Sequence, residues 1–116
     1  MVIMAAKKIF KRKKIHVPIY DVDLVVVVTD DIPAAYKREF GVQIDDLHAA
    51  CLGYSGRKFG LFFEPKFKRR GIIAHEIFHL THRILEKCTC NFDAGHHEPG
   101  AYLCEYLTEK VHAILE

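Results

Sequence analysis

An α+β fold, a small mostly antiparallel sheet packed on helices, is predicted by three observations. β-branched and aromatic runs come early in the chain, two long apolar-periodic stretches come last, and turn residues punctuate the boundaries between them. The order strand, helix, strands, helix, helix segregates a sheet from a C-terminal helical pair. With 116 residues the chain is expected to form one domain over 1–116, with residues 1–14 as a basic arm or short helix.

Each element has its own signal. Lys14 to Asp30, "KIHVPIYDVDLVVVVTD", is rich in β-branched residues and reads as a strand, Pro18 confining its first part to an edge or bend. The near-continuous apolar run Leu24 to Val28 suits a strand covered on both faces. In "DDIPAAYKREFG", Asp30 or Asp31 can cap a helix, Pro33 fits its first turn and Gly41 can stop it. "DLHAACLGY" and "KFGLFFEP" read as short strands joined by "YSGR". Helices are then expected over 71–87 and 98–115, separated by the polar loop "CTCNFDAGHH".

Composition excludes several classes of function. Half of the residues are hydrophobic and 28% are charged, which is globular rather than disordered. A net charge of +2 gives no global reason for nucleic-acid binding, and the basic runs "KKIFKRKK" and "KFKRR" read as solvated faces. The longest apolar run is far too short to cross a bilayer, and basic residues follow the apolar N-terminus instead of preceding it, unlike a signal peptide. A cytoplasmic protein with no membrane partner is expected, and its cysteines Cys51, Cys88, Cys90 and Cys104 are expected to be free thiols.

The chemistry-bearing stretch is "HEIFHLTH", residues 75–82. On a helix, residues four apart lie about 40° round and about 6 Å along the axis, so His75 and His79 can face one metal ion. Glu76 lies about 100° away, placed to act as general base on a metal-bound water rather than to ligate. His82 shares the stripe but would give poor tetrahedral geometry, so it is expected to flank the site or pack on the sheet. A third ligand is sought downstream among His96, His97, Glu98 and Glu105. His48 is expected to be a satisfied sheet residue.

"HEIFHLTHRILE" followed by "EPGAYLCEYLTE" resembles the gluzincins, and more closely the minigluzincins and small phage-type metallopeptidases. The resemblance implies a zincin-like fold and a Zn2+ cofactor held by His75, His79 and Glu98. It also implies hydrolysis of a peptide or protein substrate with Glu76 as general base, and "KFGLFFE" as the shelf for an extended peptide. Where gluzincins often carry an acidic residue four positions after the ligand Glu, this chain has Tyr102; Tyr102, His97 and Glu105 are expected nearby. "DAGHHEP" also resembles SprT-like proteases, which would make His96 or His97 the third ligand, and that alternative stays open. So does a catalytically weak zinc-binding interaction module.

Overall fold

A computed structural model describes residues 9–45, 48–90, 93 and 95–116. Strands β1 (Ile9–Val17) and β2 (Val22–Thr29) lead to helix α1 (Ile32–Phe40). Strands β3 (Ala50–Ser55) and β4 (Lys58–Phe63), a short 3-10 turn (Pro65–Phe67), and helices α2 (Arg70–Lys87) and α3 (Glu98–Leu115) follow. The sheet order is β1-β2-β4-β3.

The expectation of a mostly antiparallel, zincin-like sheet is corrected here. β1–β2 and β3–β4 are antiparallel, but β2 and β4 run parallel at the centre, so the sheet is mixed. After β2 the chain crosses through α1 and the β3–β4 hairpin, which returns β4 alongside β2 in the same direction. Helices cover both sides of the sheet. Leu24, Val26 and Val28 pack on α2 and α3, while Val25 and Val27 pack on α1 through Ile32 and Ala35. This two-sided coverage is what the unbroken valine run requires.

The stretch expected to be one strand over Lys14 to Asp30 is a hairpin, turning at Pro18–Asp21 with positive φ at Ile19 and Asp21. The arm or short helix expected over residues 1–14 is strand β1 from Ile9 onward; residues 1–8 lie outside the described residues. α1 begins where expected: the Ala34 N–H donates to Asp31 Oδ1 at 3.2 Å, and Gly41, at φ 72, ends the helix by donating to the Lys37 carbonyl.

Gly53 and Gly60 are cross-strand partners under α1. A Cβ at Gly53 would stand 2.5 Å from the Tyr36 ring, and one at Gly60 would stand 3.0 Å from Phe40. Only a strip without side chains lets those rings lie on the sheet. At the opposite face, α3 runs antiparallel to α2. Lys68, just before α2, donates to the Leu115 carbonyl, and Lys11 of β1 donates to Ile114 O at 2.6 Å and Glu116 O at 2.9 Å. These ammonium groups satisfy carbonyls that the helix end leaves open. No helix of the described residues is long and apolar enough to cross a membrane.

Candidate functional site

The two residues of the β3–β4 turn are Gly56, at φ 60, and Arg57, joining Ser55 to Lys58. With the Glu64 N–H donating to Ala49 O at 2.9 Å, alternation along this antiparallel pair directs the backbone groups of Cys51, Gly53 and Ser55 inward to β4. Those of Ala50, Leu52 and Tyr54 point outward. β3 ends the sheet order, so among the described residues no strand takes up that outward row.

Side chains of the same three residues lie on the α2 side. They and His48 form one wall of an open groove of about 430 Å³, with Cys51 at its border and His75, Glu76, His79 and Arg83 of α2 as the other wall. The α2 residues follow helical spacing: positions 75, 79 and 83 form a stripe one turn apart, with Glu76 turned inward toward the strand.

His75 and His79 stand Nε2 to Nε2 at 3.2 Å with their rings nearly perpendicular. One ring N–H donates and the other nitrogen accepts, so at least one imidazole is neutral in this geometry. Arg83 is held by Glu86 at 3.2 Å and lies over the Tyr54 ring. His48 Nε2 is 3.3 Å from Asp45 Oδ1 at the groove's mouth. Glu76 is only 8% exposed, and no described residue makes a hydrogen bond or ion pair to its carboxylate. Burial pushes its pKa up, opposed by the nearby His75, His79 and His48. Burial, and then the Glu76 charge, push the Cys51 thiol up to about 12, so it is not a thiolate nucleophile at neutral pH.

The expected zinc centre is corrected by this geometry. Among the described residues no group of three or more His, Cys, Asp and Glu side chains could hold a metal ion. His75 and His79 are together, but among the described residues no third donor joins them. Because α3 is antiparallel to α2, Glu98 opens α3 beside the far end of α2, with its neighbours Pro99 and Tyr102 against the β1–β2 turn. At 1.5 Å per residue, the last residue of α2 is about 18 Å along the helix from His75. His97 and Glu105 are exposed, and His96 is engaged with Asp93 at 2.9 Å. Zn2+, the metallopeptidase activity drawn from it, the gluzincin, minigluzincin, phage-type and SprT-like resemblances, and the zinc-binding module therefore all lose their basis. The described residues do not fit the ion, and no hydrolytic step is derived through it.

The structure separates the residues singled out from sequence. It brings His75, Glu76 and His79 together, and leaves Glu98, His97, Tyr102 and Glu105 elsewhere. His82 is exposed and does not line the groove. His48, expected to be satisfied within the sheet, is at the groove. Arg83 and Tyr54 were missed, although Arg83 lies one further turn along the His75–His79 stripe and Tyr54 alternates with Ala50 and Leu52. The expected peptide shelf, "KFGLFFE", is the interior strand β4, whose two edges are already paired; the sheet's edge strands are β1 and β3, and it is β3 that borders the groove. No family model, curated protein or solved structure matches the chain, so the groove's chemistry is read from its own residues.

Proposed function

We propose that this chain is a recognition module that adds an extended segment of a partner protein to the outer edge of β3. The observation that carries the proposal is the outward backbone row of Ala50, Leu52 and Tyr54 beside the Glu76 carboxylate, to which no described residue makes a hydrogen bond or ion pair. Strand addition takes affinity from main-chain hydrogen bonds and specificity from the alternate side chains of the incoming segment. Every second side chain of that segment would enter the groove, where Glu76 accepts a hydrogen bond and His75 and His79 offer further polar contacts. The leucine and tyrosine of β3 supply the apolar contact. A net charge of +2 supplies no global electrostatic pull toward nucleic acid. Four free thiols support a reducing, cytoplasmic setting.

The test is selection of binders from a random seven-residue peptide library, followed by amide hydrogen exchange on the complex. Peptides should be recovered, and the Leu52 and Tyr54 amides should gain protection. Leu52→Pro removes one outward donor without touching the ladder to β4, and an edge strand tolerates proline. It should weaken peptide binding at least about tenfold, or about 1.4 kcal/mol, with the fold retained. Unchanged binding by that variant, or protection confined to other strands, would reject strand addition.

A further inference from the structure

The β3 groove differs in charge from one end to the other. Glu76 lies by the start of β3, where its charge reaches His48 and Cys51. Arg83, two turns further along α2, lies over Tyr54 near the end of the strand. At 1.5 Å per residue the two charged positions are about 10 Å apart along the helix. The β3 wall grows in the same direction, from Ala50 through Leu52 to Tyr54, so its smallest side chain is at the Glu76 end.

The two charges are not equivalent. Arg83 is already engaged by Glu86 at 3.2 Å. Glu76 is 8% exposed, and no described residue makes a hydrogen bond or ion pair to it. Among the described residues no sealed side-chain oxygen or nitrogen lacks a hydrogen-bond partner. The Glu76 oxygens therefore open to the groove that the residue lines. A carboxylate so withdrawn from water gains most from a donor that also carries a positive charge, since charge-assisted hydrogen bonds are about twice as strong as neutral ones.

We propose that the segment added to β3 carries a lysine or arginine whose side chain enters beside Ala50 and donates to Glu76. This rests on the strand-addition reading and gives it a partner class, a basic extended segment. Side chains that enter the groove from an added strand recur every second residue, about 7 Å apart. The next one meets Leu52 and is apolar. The one after that meets Tyr54 and Arg83, where a second cation is repelled. The groove thus selects a cation at one position and rejects it four residues away.

The test selects a random seven-residue peptide library, acetylated at its N-terminus, on the wild-type chain, on Glu76→Gln and on Arg83→Gln. The wild-type pool should show lysine and arginine enriched at one aligned position and depleted four residues away. The ratio of the two tells an ammonium from a guanidinium preference. Norleucine in place of that cation should weaken wild-type binding at least about tenfold. The Glu76→Gln pool should lose the enrichment, and the Arg83→Gln pool should keep it while losing the depletion. Peptides that protect the Leu52 and Tyr54 amides without any lysine or arginine preference overturn this inference and leave strand addition standing. So does an enrichment undiminished in Glu76→Gln. Failure to recover any peptide on the wild-type chain, or protection confined to other strands, rejects strand addition and this inference together.

Discussion

Two glutamates on opposite faces of the sheet show what the same side chain does in two surroundings. Glu39, near the end of α1, receives Arg12 of β1 at 2.6 Å and Lys58 of β4 at 2.8 Å. The Arg12 hydrogen bond first, then that of Lys58 and the two charges, hold its carboxyl at about 2, against the cost of burial. Glu76, on α2, is comparably buried but has no Lys or Arg partner among the described residues, and desolvation displaces its carboxyl upward against the opposing His75, His79 and His48. Glu39 ties three elements together and contributes to the fold. Glu76 is a standing cost to the fold, and such a cost persists where a ligand can offset it.

The largest effect that would break this contrast is at Glu39. Glu39→Gln should lower stability in urea unfolding at neutral pH by about 2 kcal/mol, discounted because Arg12 is open to solvent. The sign with pH follows from the lowered carboxyl. Its contribution is fully present above the ordinary value of 4.5 and is lost as pH falls through about 2. The variant should therefore have a flatter acid limb than wild type.

Glu76→Gln should act in the opposite direction, raising stability at pH 7 by about 1 kcal/mol. With a raised folded pKa, wild-type stability falls as pH rises through the window above 4.5. The gain from the glutamine should thus disappear below that value, while peptide capture at β3 weakens. A variant less stable than wild type at pH 7 would mean that the carboxylate has a partner after all. The smallest expected effect sharpens the comparison. The double variant should equal the sum of the singles within about 0.5 kcal/mol, because the sheet separates the two sites.

What was legible in the sequence divides along similar lines. Local chemistry could be read: Asp31, Pro33 and Gly41 mark α1, and α2 and α3 fall within a residue of the spans their periodicity predicts. The approach of His75 and His79 also follows from a four-residue spacing alone. Features that depend on chain return could not be read. The turn at Pro18–Asp21 uses positive φ at an isoleucine and an aspartate, so no glycine marks it and two strands read as one. The parallel β2–β4 pairing has no local signature, and neither does the direction of α3 that carries Glu98 away from the histidines. Motif spacing reports on one helix, whereas a third metal donor depends on the packing of two.

Every residue lining the β3 groove falls between His48 and Arg83. One hairpin and the helix that follows it therefore carry the whole candidate binding surface, and the strip of paired glycines behind it lets α1 brace that unit from the rear. Changes in the amino-terminal hairpin or the last helix would act on this surface only through overall stability. Alterations within those three dozen positions would reach it directly.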